Sequence, residues 1–119
     1  MRRLALLAAL SLAPAAALAG EADVVGVEAR PTGGGWSFDV TLRHADTGWE
    51  HYADAWRVVG PDGEVYGTRV LAHPHVNEQP FTRSLSGVVI PEGVAAVTVE
   101  AHDSVHEWGG AVVEVTLPR

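Results

Sequence analysis

Trp36-Ser37-Phe38-Asp39-Val40-Thr41-Leu42 sets an apolar side chain at every second position, with a polar one between each pair. Side chains of an extended backbone alternate between two faces, so this stretch reads as a strand with one face in a core and the other in water. A helix would need apolar positions three and four apart, and no window of the chain carries such a stripe. The same alternation recurs at Val97, Val99 and Ala101, at Val113, Val115 and Leu117, and more briefly at Val25, Val27 and Ala29. Trp56 and Val58 alternate ahead of Pro61-Asp62-Gly63, and Val65 to Leu71 and Phe81 to Ile90 are further extended runs. Strands are therefore predicted at 24–29, 36–43, 52–59, 64–71, 81–89, 96–102 and 111–117. Turn residues punctuate them at Pro31 to Gly35, Pro61 to Gly63 and Pro91 to Gly93. Strands recurring about every 8–12 residues predict an all-β fold, a seven-stranded antiparallel immunoglobulin-like β-sandwich.

The amino-terminal segment reads differently. Arg2 and Arg3 precede an apolar run from Leu4 to Leu12, and Ala17-Leu18-Ala19 supplies the small residues a signal peptidase requires. That order predicts a cleaved secretory signal over 1–19 and one β-sandwich domain over 20–119. The apolar run is too short to cross a bilayer, so the mature protein is expected to be periplasmic or secreted, with no membrane anchor. Without Arg2 and Arg3 the chain has six arginines, no lysine and fifteen carboxylates, a net charge near −9 with neutral histidines. Nucleic acid would repel such a chain, so no nucleic-acid partner is expected. Cysteine is absent, and the single methionine is Met1. The domain must hold by packing alone, and sulfur ligation and thiol chemistry are excluded.

The six histidines are unevenly placed. In an immunoglobulin-like sandwich successive loops alternate between the two ends. The turns at 31–35, 61–63 and 91–93 share one end and contain no histidine. The three connections at the other end hold His44 and His51, His73 and His75, and His102 and His106. Imidazole is the commonest metal-binding side chain, and loops held by a rigid scaffold are where β-proteins assemble sites. All six are thus candidate ligands. Asp46, Glu50, Asp54, Glu78, Asp103 and Glu107 share that end. These carboxylates could ligate directly, and Asp54, Glu78 and Asp103 are also candidates for acceptors that orient a ligating imidazole through its other N–H. Ser84, Ser86 and Ser104 lack the Gly-x-Ser-x-Gly elbow of a hydrolase, and Gly33 to Gly35 precede a strand, so neither marks a catalytic nucleophile or a phosphate cradle.

Two segments resemble a known family. His44-Ala45-Asp46-Thr47-Gly48-Trp49-Glu50-His51-Tyr52 is similar to the His-Pro…Glu-His segment of superoxide reductase (desulfoferrodoxin-type) domains. Asp103-Ser104-Val105-His106-Glu107-Trp108 is similar to that family's Cys-Asn-x-His-Gly-x-Trp segment before the last strand. The resemblance implies an immunoglobulin-like sandwich carrying non-haem iron, with His44, His51 and His106 as imidazole ligands. Asp103 stands where the family has its axial cysteine, and the family's amino-terminal Lys-His segment has no counterpart here. His51 to Asp54 and His73 to Phe81 also resemble segments of a group of exported bacterial proteins.

The function expected is an exported metal-binding β-sandwich with a histidine-rich site at one end. Nitrogen and oxygen donors without sulfur suit a divalent transition metal, Zn²⁺, Cu²⁺ or Fe²⁺. Two alternatives stand beside it. One is a metal-free assembly module that binds a protein in the periplasm; the other is a metal-dependent oxidoreductase related to superoxide reductase. Binding is expected over catalysis.

Overall fold

The computed structural model describes residues 20–119; the expected signal over 1–19 lies outside the described residues. Seven strands follow in order: β1 (Asp23–Thr32), β2 (Gly35–Arg43), β3 (Ala53–Val59), β4 (Val65–Val70), β5 (Phe81–Val88), β6 (Ala96–Asp103) and β7 (Glu107–Thr116). They form two antiparallel sheets, β1-β2-β5 and β4-β3-β6-β7. No helix occurs among the described residues. This is the β-sandwich expected from the alternation.

The core lies between the sheets. Phe38, Val40 and Leu42 from β2 meet Trp56 and Val58 from β3 and Val97, Val99 and Ala101 from β6, all of them buried. Val113 and Val115 pack against the edge of this cluster and stay half-buried, because β7 is an outer strand. Of the polar partners in β2, Asp39 and Thr41 are half-buried on the outer face, whereas Ser37 is buried. Asp39 receives Arg30 at 2.8 Å and Ser84 at 2.6 Å across the outer face of the first sheet.

Two boundaries differ from the sequence reading by three residues or more. β1 runs on through Pro31 and Thr32, which pair with Trp36 and Gly35. β1 lies at a sheet edge, where a proline costs no ladder hydrogen bond. β7 begins at Glu107, four residues ahead of the predicted start at 111. The β6–β7 connection is thereby cut to the short turn Ser104 to His106, with Glu107 at φ 65°. That tight hairpin draws His106 back beside the end of β6.

The antiparallel order brings the β2–β3, β4–β5 and β6–β7 connections to one end, as the alternation of loops requires. β1 starts at that same end, since Asp23 pairs with Arg43.

Candidate metal centre

His44 follows the last residue of β2 and is almost wholly buried, at 2% exposed. Its Nδ1–H donates to Asp46 Oδ1 at 2.5 Å. Asp46 is buried too and is held in turn by two backbone amides: Oδ1 accepts Ala53 N at 3.0 Å, and Oδ2 accepts His75 N at 2.7 Å. With Nδ1 committed to a carboxylate, the His44 ring presents Nε2 and its lone pair to the centre of the pole. This is the carboxylate–histidine arrangement that stands behind many metal ligands.

His51 stands on the far arm of the same loop. Its backbone is fixed by bonds from His51 N to Gly48 O at 3.2 Å and from Thr47 N to His51 O at 3.0 Å. Asp103 closes β6. It is fully buried, and its Oδ1 accepts the amides of Val105 at 2.9 Å and His106 at 2.8 Å. An aspartate that bonds the backbone two and three residues on is a turn former, and here it shapes the β6–β7 hairpin. The turn then sets the His106 ring with Nδ1 3.2 Å from the same oxygen.

These groups converge. His44 Nε2 lies 3.3 Å from His51 Nε2, and His51 Nε2 lies 3.1 Å from Asp103 Oδ1. Ligand atoms of His44, His51 and Asp103 all fall within 4.8 Å of one another. Four ligands set tetrahedrally about 2.0–2.1 Å from a zinc ion would be about 3.3–3.4 Å apart. The observed separations are close to that spacing. The carbonyl oxygen of Gly20 sits among the rings, 2.6 Å from His44 Nε2 and 3.1 Å from both His51 Nε2 and His106 Nδ1. A cleft of about 440 Å³ opens beside Gly20 and His44, with Asp23, Arg43 and Gln79 in its walls.

Proton counting shows what the cluster lacks. A neutral imidazole has one N–H. In the neutral form of His44 the proton goes to Asp46, which leaves Nε2 and the Gly20 oxygen 2.6 Å apart as two acceptors. The His51 ring has at most one proton on Nε2 for three neighbours: His44, Gly20 and Asp103. Asp103 Oδ2 is buried with no hydrogen-bond partner among the described residues. Burial pushes the Asp103 carboxyl up, but the amides of His106 and Val105 and the His106 ring outweigh it and hold the group below the ordinary carboxylate range. The acid is therefore an anion at neutral pH, in a pocket of lone pairs. A cation between His44 Nε2, His51 Nε2 and Asp103 Oδ1 would meet the lone pairs that face one another there. A His-His-Asp cluster that could hold a metal ion is present.

The other candidate residues lie elsewhere. His75 is buried behind Asp46, its ring stacked on Phe81 with centroids 3.9 Å apart and its Nε2 accepting from Arg83 at 2.9 Å. His73 is exposed, and its Nδ1–H donates to Pro74 O at 3.0 Å. Glu78 accepts from Arg83 at 3.3 Å rather than from an imidazole. His102 points to the outer face of the second sheet, where Nδ1 meets Asp54 Oδ1 at 2.5 Å and the ring packs edge-on against Trp108. The Arg57 guanidinium covers that indole at 3.7 Å. Of the six histidines, the structure thus brings His44, His51 and His106 together and leaves His73, His75 and His102 outside the cluster. Asp103, a candidate for either direct ligation or orientation, lies within the cluster with Oδ1 3.1 Å from His51 Nε2, while Asp54 contacts His102. Trp56 is core, while Trp49 is largely exposed near the rim of the pole.

Sequence reasoning missed Gly20 and did not single out Asp46. The signal for Gly20 was topological: a first strand antiparallel to β2 must begin where β2 ends, beside His44. Asp46 carried no comparable signal, since its three partners come from separate segments.

No family model matches the chain, and no solved structure matches it. Among curated proteins it is 43% identical over 96 residues to one from Halomicrobium mukohataei named "Putative lipoprotein". The match covers 80% of this chain and 47% of the relative, so the chain spans about half the relative's length. That name overturns the expectation of a protein with no membrane anchor. The expectation rested on the want of a long apolar helix, and no helix among the described residues is long and apolar enough to cross a membrane. A lipoprotein is anchored by a covalently attached lipid and needs no such helix.

Proposed function

We propose that this protein is an exported, cell-envelope metal-binding domain whose centre is built from His44, His51, His106 and Asp103. The observation that carries the reading is the convergence of His44, His51 and Asp103 ligand atoms within 4.8 Å of one another. The Asp46 contact to His44 and the orphaned Asp103 oxygen support it. The lipoprotein name of the relative supports a place in the envelope. Three imidazoles and a carboxylate suit Zn²⁺, Cu²⁺ or Fe²⁺, and the absence of sulfur disfavours Cu⁺. The resemblance to superoxide reductase agrees with the three histidines. Binding is proposed rather than turnover, because Asp103 stands where that family uses a thiolate to push electron density onto iron.

Calorimetric titration of tag-free protein with each ion tests the reading. One equivalent should bind at neutral pH to the wild type, and His51→Ala should bind none while staying folded. Failure of the wild type to bind any of the three ions would favour the metal-free assembly module.

A further inference from the structure

The chain meets the histidine pole at Gly20, and the fold fixes how it does so. Asp23 pairs with Arg43, the residue before His44. Ala22 is fully buried, Glu21 Oε1 accepts Gly110 N at 3.2 Å, and Asp23 Oδ1 accepts Ala111 N at 2.8 Å. Pinned in this way, Gly20 places its carbonyl oxygen within 2.6–3.1 Å of nitrogens on His44, His51 and His106. Only glycine fits. A Cβ there would lie 2.8 Å from Cε1 of both His51 and His106, and φ is +110°.

Gly20 also follows Ala17-Leu18-Ala19, the stretch expected to be cut by signal peptidase. Before cleavage the Gly20 nitrogen is an amide, with its lone pair delocalised into the peptide bond. After cleavage it is a primary amine, a good ligand for first-row metal ions. The amino nitrogen and carbonyl oxygen of one residue can close a five-membered chelate ring.

We propose that Gly20, as the amino-terminal residue of the processed chain, is a ligand of the metal centre through its α-amino nitrogen and carbonyl oxygen. The proposal rests on the metal-binding reading above and on cleavage after Ala19 leaving a free amine at Gly20, and adds a dependence on processing: removal of the leader completes the centre. The uncut precursor holds metal weakly, and loading is deferred until export.

Three chains test this by competition for Zn²⁺ against a chromogenic chelator at neutral pH. One begins at Gly20 with a free amine, one keeps Ala17-Leu18-Ala19 ahead of Gly20, and one begins at Glu21. The first should bind at least about tenfold more tightly than the other two, the lower bound for disturbing the surroundings of a metal ligand. A second readout uses the first chain alone, so it does not depend on how the altered chains fold. That chain contains no lysine, so its α-amine is the one primary amine open to acetylation. Mass spectrometry should show that amine acetylated without Zn²⁺ and protected with it. Equal affinities and an unprotected amine would overturn the proposal while leaving the histidine centre standing. No Zn²⁺ binding by any of the three would overturn both.

Discussion

Asp46 shows how much of the centre depends on one buried carboxylate. It takes the His44 N–H and two backbone amides, so both oxygens are engaged. Asp46→Ala should strand those donors in the core and lower stability in denaturant unfolding by about 1–3 kcal/mol for each donor left unsatisfied. Asp46→Asn keeps an acceptor oxygen and should retain more of the fold, while losing about 10–100-fold in metal affinity as His44 loses its orienting charge. His75 makes a different argument. Burial pushes its imidazole below the ordinary value, and the Arg83 guanidinium and the His73 ring push the same way, against Glu78 and Asp46. The unfolded chain takes up that proton near about pH 6.5, whereas the folded protein resists it to lower pH. Between the two the unfolded state holds the extra proton, so stability is complete above about pH 6.5 and falls as the pH drops below it. His75→Gln should make the decline between about pH 7 and pH 5 shallower. Identical slopes in unfolding experiments would show that His75 does not set it.

At the scale of elements, the strands were legible because period-two alternation is a direct consequence of burial on one face. Phe38, Val40 and Leu42 announce β2, and all three are buried. The shared end of the loops was legible from topology alone. Which histidines turn inward was harder to read, because it depends on contacts such as Asp103 with His51, 52 residues apart. One case was within reach. On β6, Val97, Val99 and Ala101 face the core, so period two sends Asp103 inward and His102 outward. Ending the predicted strand at 102 hid that consequence. The hairpin's early return was hidden for a related reason, since it depends on the Asp103 turn rather than on apolar pattern. Gly110 joins this hairpin to the start of β1. It has φ +74°, and an added Cβ would collide with the backbone of Ala22. Gly110→Ala should therefore unseat residues 20–22 and destabilise the protein by about 1–3 kcal/mol, the cost of a strained backbone position. The same change should weaken metal binding although Gly110 touches no ligand. Unchanged affinity would mean that the amino-terminal segment does not contribute to the centre.

For the whole molecule, the sandwich is a cysteine-free scaffold with one chemically distinctive end. Its acidity favours cations over anions, and the cluster at that end draws its polar groups from the segment before β1, the β2–β3 loop and the β6–β7 turn. The unfolded chain has no such site, so a metal ion bound at this cluster would couple its binding to folding. Free metal a hundredfold above Kd should stabilise the fold by about 2.7 kcal/mol, which for a domain of this size raises Tm by about 10–20 °C. Protons compete with metal for imidazole nitrogen, so the gain should shrink as the pH is lowered. Binding by surface carboxylates alone would persist there, because they stay charged down to about pH 4. The most direct test is the melting temperature of tag-free protein with and without Zn²⁺ at neutral pH, beside His51→Ala and His106→Ala. A rise of that size in the wild type, absent from both variants, is the expected result; no rise, or an equal rise in all three proteins, would contradict a metal centre at this pole.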